Sequence, residues 1–557
     1  MAEPRAHSPL ETLTRHFFWR FFQTEEVGEG DASETPVVRA LAVVAVPMLM
    51  AAFWIVTLAG RMSVWQRAAV HSLFVVYAFC SMGCVTALQW EKLFPERIDF
   101  LVLLPMPLQP HMLFLAKLRA MAVFLLLFVV AGSISGTVLL PAIAEGSIFR
   151  SMVAHGTATM SAGIGACLAV LTLEATVIVV TPARWFRFVA PLVQTILVAF
   201  FPLVFLRVGT FGERLPELLR GGIQGAVWFP PLWFEAAYEV LLGGVTATPL
   251  AHVLALRAFY CLPVLAVGIL LMYPLAWAKR RRDALEGAHA RRLRDGVALA
   301  ALLHRTLLRA ADQRAVFHFV RQTISRMSQY QVLLAAYCGS GLALASTFAV
   351  SVSPSAGHVS FHLWRTGVQM AVPLLLFWTA AGLRIAFLLP TDLAARWVFR
   401  MAPLRTGRVV STTKLLVFGV SLSVLSTVVL ALALCGWSAQ DVLLQAAFGT
   451  MYALLLTDLF FYAQSHVPFT RPRLPGRSSV PLTAAVFLFG VPLCMALAVT
   501  LERWVGTSLL RLCAVVIAAL AFHVGQRWLR GLPSHSVSEN PFLGENDRDV
   551  QTLGLSA

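Results

Sequence analysis

The chain has 557 residues, of which 58% are apolar and only 13% charged, and its mean hydropathy is +0.75. Soluble domains run at about 45–50% apolar and about a quarter charged, so a soluble enzyme, a disulfide scaffold and a disordered chain are excluded. The net charge of +16 fits a positive-inside bias beside anionic lipid, with no nucleic-acid partner implied.

Residues 1–36 are polar and mixed in charge and do not read as a cleaved signal. Within them, Phe17, Phe18, Trp19, Phe21 and Phe22 alternate with Arg15 and Arg20, a pattern that predicts a helix lying in the membrane interface. Apolar runs of about 20 residues, the length of one helical crossing, predict spans at 40–60, 69–88, 120–143, 155–180, 188–206, 253–277, 332–350, 367–389, 415–434, 442–461, 480–499 and 508–524. The fold class is therefore an all-α polytopic membrane protein of about twelve transmembrane helices with interfacial amphipathic helices. The expected divisions are a leader (1–36), a first six-span half (37–277), a basic linker with an amphipathic helix (278–327), a second six-span half (328–524) and a tail (525–557).

Basic residues set the expected orientation. With both termini inside, the inner segments hold 34 of the 44 Lys and Arg, including all four lysines, Lys92, Lys117, Lys279 and Lys414. The cytosolic side is thereby expected to carry the termini. The two halves repeat the same order of parts: an aromatic, basic stretch, then two spans, then an inner loop with a Pro-Leu pair and a Lys-Leu pair. These are Pro107-Leu108 with Lys117-Leu118, and Pro403-Leu404 with Lys414-Leu415. The fourth span of each half carries one acid, Glu174 and Asp458. Both loops fall on one side, so the repeat is parallel.

Three segments between spans stand out. The loop at 89–119 mixes charged and apolar residues; 91–104 is expected to form a helix against the membrane, with Pro105 to Pro110 forcing an extended turn. It reads either as a connector or as a docking element. The linker holds the basic runs Lys279-Arg280-Arg281-Arg282 and Arg291-Arg292-Leu293-Arg294. On the outer side, Pro230 and Pro231 are placed to start a helix and Gly243 to end it. Its aromatic run suits either an interface anchor or a lid over a substrate path.

Catalytic patterns are missing from the sequence. No phosphate-binding Gly-Lys pair, zinc-type His-Glu-x-x-His or Gly-x-Ser-x-Gly elbow occurs. The eight cysteines lie in apolar stretches without metal-ligand spacing. The ionisable groups within spans, Glu174, Arg384, Asp458 and Arg511, all lie toward span ends, where snorkelling relieves the cost of burial.

The stretch from Asp99 through Pro105, Pro107 and Pro110 to Lys117 resembles the loop after the second span in membrane subunits of type 2 ATP-binding-cassette exporters. Pro230-Pro231-Leu232-Trp233-Phe234 with Gly243 is similar to the Pro-Pro-x-Trp-Phe segment before the last span of such subunits. The resemblance covers most of 8–277 and extends more weakly over 302–524, where the second element is missing.

The resemblance implies a fused permease subunit, itself not an enzyme, in a bacterial-type plasma membrane. Two separate cytosolic ATPase subunits would carry ATP and Mg, with no cofactor in this chain. Residues 91–104 would be the first coupling helix and 388–400 its counterpart. Their docking residues would be Glu91, Glu96, Arg97, Asp99, Pro107 and Lys117, and Asp392, Arg396, Arg400, Pro403 and Lys414. Pro230, Pro231, Trp233, Phe234 and Gly243 would form an exit-side interfacial helix. Two rivals from other classes are a gradient-driven carrier or lipid flippase relying on Glu174 or Asp458, and a membrane enzyme on lipid-linked substrates using Arg207, Arg214 and Arg220.

Overall fold

Away from water, a peptide backbone satisfies its own polar groups most simply as a helix, and each apolar run of this chain does so. The computed structural model describes residues 8–22, 36–58, 62–103, 105–144, 147–220, 227–244, 246–285, 304–355, 358–389, 405–462, 467–470, 490–506 and 508–531. Eleven helices among the described residues are long and apolar enough to cross a membrane. The chain is an all-α polytopic membrane protein. Of the predicted spans only 480–499 is not among the eleven: 480–489 lie outside the described residues, and the helix that follows, Val491–Val505, has 15 residues.

Two units divide the chain, Met1–Arg291 with Ser351–His362, and Arg292–Val350 with Leu363–Ala557. The first contains α1 (Pro9–Phe22), α2 (Pro36–Leu58), α3 (Val64–Leu88), α4 (Trp90–Leu93), α5 (Arg97–Leu103), α6 (Pro110–Leu139), α7 (Ile148–Val180), α8 (Ala183–Leu206), α9 (Val208–Glu213), α10 (Leu215–Leu219), α11 (Pro230–Leu242) and α12 (Pro249–Leu285). Helix α3 lies at its centre, packed against α6, α7, α8 and α11. Phe74, Val75, Val76, Met82 and Ala87 are all buried on it. Small residues permit the close approach: a side chain at Gly83 would run into the ring of Phe201 on α8. Buried hydroxyls turn back onto their own helix, as Thr86 does to the Met82 carbonyl at 2.7 Å. Leu126, Ile134, Val264 and Leu270 point outward, more than half exposed, as lipid-facing positions require.

The second unit contains α13 (Ala311–Arg326), α14 (Ser328–Ala349), α15 (Arg365–Leu388), α16 (Thr406–Leu434), α17 (Ala439–Phe460), α18 (Val491–Val505) and α19 (Leu509–Gly531). Helix α15 is its centre, with Val368, Val372, Leu376, Ala380, Leu383 and Phe387 buried. It packs on α14, α16, α17 and α18, and the Trp378 indole N–H donates to the Ser340 hydroxyl of α14 at 2.8 Å.

Several predicted boundaries move. Helix α6 starts at Pro110 rather than 120, and α12 continues to Leu285 through Lys279 to Arg282, residues expected in the linker. Hydropathy marks where a chain enters hydrocarbon, whereas the helical ladder runs on into the interface. The expected tail likewise begins inside α19, and linker residues 286–303 lie outside the described residues. The connection between α14 and α15 is a two-stranded ribbon of β1 (Val350–Ser355) and β2 (His358–Leu363). The expected single helix at 91–104 is instead broken into α4 and α5. Pro95 lacks an N–H and drives the preceding Phe94 to extended backbone (φ −105°, ψ 158°).

At Gly367, on the first turn of α15, an added Cβ would sit on the Phe348 carbonyl oxygen. Gly367→Val is expected to destabilise the second unit by about 1–3 kcal/mol, read as a lowered midpoint in detergent thermal unfolding. An unchanged midpoint would contradict this packing.

Candidate functional site

The corner built by α4 and α5 is a non-spanning element of the first unit packed against α12. Trp90, Leu93, Phe94 and Phe100 are all buried. Phe94 meets the Tyr273 ring at 4.6 Å and Phe100 meets Trp277 edge-on at 5.5 Å. The Tyr273 hydroxyl donates to the Leu93 carbonyl at 3.2 Å. Tyr273 and Trp277 are one helical turn apart on α12, so a single face of that helix holds the whole corner. At the start of α5 the Asp99 carboxylate accepts the Glu96 backbone N–H at 2.9 Å, half of a capping box, and its charge suits the helix N-terminus.

Helix α1 fastens the corner from the other side. Phe17 and Phe21 are buried, and Phe21 stacks on Phe124 of α6 with ring centres 4.6 Å apart. Arg20, one position before Phe21, forks its guanidinium between Asp99 and Glu96, the second at 3.0 Å. Lys117 of α6 is buried, with its ammonium 4.9 Å from the Phe17 ring centre and 5.1 Å from that of Phe21. Such cation–π contact replaces part of the lost hydration, and Asp99 and Glu96 add opposite charge nearby.

The same corner presents an apolar tip. Leu101, Val102 and Met106 are 49%, 51% and 46% exposed, and Pro105 and Pro107 are exposed beside them. Behind the corner a cleft of about 210 Å³ is lined by Pro95, Ile178, Phe186, Lys279, Arg280 and Asp283. Lys279 donates to the Val179 and Thr181 carbonyls at 3.1 and 2.8 Å, closing the C-terminal end of α7.

Of the residues singled out in the sequence, Glu96, Asp99 and Lys117 converge here, and Pro107 belongs to the exposed turn. Glu91 lies on α4, and Arg97 opens α5. The second set is different. Asp392, Arg396, Arg400 and Pro403 lie outside the described residues. Lys414 is not a loop residue: it is on α16, where its ammonium meets Asp458 of α17 at 2.5 Å. Asp458 is 1% exposed and also faces His523 Nδ1 of α19 at 2.7 Å. Glu174 is fully buried near the end of α7, and neither carboxylate oxygen has a partner.

Pro230 and Pro231 do open α11, and Gly243, at φ +64°, ends it. Arg150 of α7 closes that end, its Nε donating to the Leu241 carbonyl at 2.9 Å. The Trp233 indole N–H donates to the Val227 carbonyl at 2.8 Å, and Phe234 is buried against Gly165 of α7. Rather than lying free at an interface, α11 is seated against α3, α7 and α12. Its buried face carries two acids, Glu235 and Glu239. Their burial was not legible in the sequence, nor was the fork of Arg20 or the meeting of His71 with His155, whose Nδ1 atoms lie 3.1 Å apart. The four-residue spacing of Glu235 and Glu239 was the available signal.

Two substitutions report on these bonds. A double-mutant cycle of Arg20→Gln and Asp99→Asn is expected to give a coupling of about 1–2 kcal/mol, reduced from a fully buried pair because Arg20 is partly solvated; additive effects would sink the clamp. Lys414→Met strands the buried Asp458 charge and is expected to cost about 3–5 kcal/mol, recovered in large part by adding Asp458→Leu. Both are read by unfolding in detergent.

No protein-family model matches the chain, and no curated protein or solved structure is significantly similar to it.

Proposed function

We propose that the chain is the permease subunit of an ATP-binding-cassette exporter, moving substrate outward when separate cytosolic ATPase subunits drive it. The single observation that carries this reading is the α4–α5 corner: an apolar tip of Leu101 and Val102 on a helix of seven residues and Met106 in the turn after it, braced on α1, α6 and α12. An exposed apolar tip outside the spans fits a protein partner. Its bracing fits transmission of force, because the Arg20 fork and the Tyr273 and Trp277 contacts leave α5 no way to move without α1 and α12. ATP and Mg²⁺ belong to the partner subunits in this reading, and the resemblance of 99–117 and 230–243 to exporter permeases supports it.

A gradient-driven carrier is the second reading. One observation favours it: Glu174 is an intramembrane acid whose oxygens are both unpartnered, and such groups commonly mark ion or proton routes.

The two readings separate in one preparation. The tagged chain, extracted in mild detergent from its own membrane, is expected to bring down ATP-hydrolysing activity. Leu101→Glu with Met106→Glu is expected to reduce that recovery at least about tenfold, since each charge must be desolvated against an apolar partner. Transport by the chain alone in vesicles, driven by an ion gradient and stopped by Glu174→Gln, would overturn the first reading in favour of the second.

A further inference from the structure

Glu235 and Glu239 lie one turn apart on the seated face of α11, 2% and 1% exposed. Neither Glu235 oxygen has a hydrogen-bond partner, and of Glu239 only Oε2 has one, the Thr246 hydroxyl. The neighbouring polar atoms are equally sealed and unpartnered: the Tyr238 hydroxyl, Ser151 Oγ and His155 Nε2.

The cations around the helix are engaged elsewhere or do not reach. From α12, Arg257 donates to the Val227 carbonyl and His252 faces the Thr248 carbonyl. From α7, Arg150 is bonded to Leu241, and His155 faces His71 of α3. Arg220, at the end of α10, lies over the Trp65 ring. The charge of Arg67 of α3 acts on Tyr238 and His71. No group of three His, Cys, Asp or Glu side chains among the described residues is arranged to hold a metal ion.

Two ionised carboxylates here would each be buried without a counter-charge and would repel one another across one helical turn. A carboxylic acid meets neither cost, and it can both donate to and accept from the hydroxyls of Tyr238 and Ser151. We propose that Glu235 and Glu239 are a proton-binding pair that latches α11: each carries its proton while the helix is seated between α3, α7 and α12, and losing those protons to solvent unseats it. The inference stands whether or not an ATPase drives the chain.

Burial raises the affinity of both groups for protons. The Glu239 carboxyl is pushed up to about 7, and that of Glu235 moves well above the usual carboxylate range, burial acting first and the neighbouring Glu239 second. An unseated, solvated carboxyl titrates at its ordinary value of 4.5. Between these values the seated helix binds more protons than the released one. Seating is therefore complete at low pH and is lost as pH rises through about 7, by about tenfold per pH unit for each titrating carboxyl. The His71–His155 pair would act in the opposite direction, because adding protons to facing imidazoles loosens the groove on acidification.

Hydrogen exchange on the full chain in lipid nanodiscs tests this, with exchange times scaled to the intrinsic rate at each pH. Protection of residues 232–242 is expected to fall from pH 5.5 to 8.5 by at least about thirtyfold, the share of Glu239 alone between pH 5.5 and its value of about 7, while α15 of the second unit stays constant. Glu235→Gln with Glu239→Gln, which mimics the neutral acids, is expected to keep protection high and flat. Should that double variant fail to fold, each single variant is expected to lose about half the slope. Flat protection in the unaltered chain, a slope of opposite sign, or a slope surviving both substitutions would overturn the latch.

Discussion

Hydrocarbon supplies no hydrogen-bond partner, so every polar group carried into it must be satisfied by the chain itself. The backbone meets that demand as helix, and Thr86 and its like meet it by turning back on the preceding turn. Charged groups cannot do so. Asp458 is held by Lys414 and His523 from two other helices, and Lys117 rests against the rings of Phe17 and Phe21. These side chains decide which helices must stay together, because removing either partner strands the other.

The same demand explains how α1 is attached. An amphipathic aromatic helix would otherwise slide along the surface of the spans. Its two buried rings fix its depth, and Arg20 fixes its register through a planar guanidinium that fits two carboxylates at once. The corner it clamps is short, has an apolar tip and is stacked on α12 through Tyr273 and Trp277. Segments between spans thus carry an exposed apolar tip at α5 and a pair of buried acids on α11.

The spans were legible because hydropathy over about 20 residues is a property of the chain alone. So were the ends of α11, since a Pro pair and a Gly at positive φ act through local backbone sterics. The break between α4 and α5 was also written locally, in Pro95, but the apolar pattern on either side masked it. The ribbon at 350–363 was not legible, because its strands satisfy each other rather than a local pattern.

Side-chain partnership was out of reach for the sequence. Lys117 and Lys414 occupy matching positions in the two sequence halves, yet one stacks on phenylalanines of α1 and the other pairs with an acid of α17. Glu235 and Glu239 carry the spacing of an ordinary solvated helix face, and only the seating of α11 between three other helices turned that face inward. Composition and periodicity determined the membrane class and the helices, since both follow from the transfer of local segments out of water. Which charges are paired, stacked or left alone was decided by tertiary packing, since that depends on residues brought from distant positions to within hydrogen-bond reach.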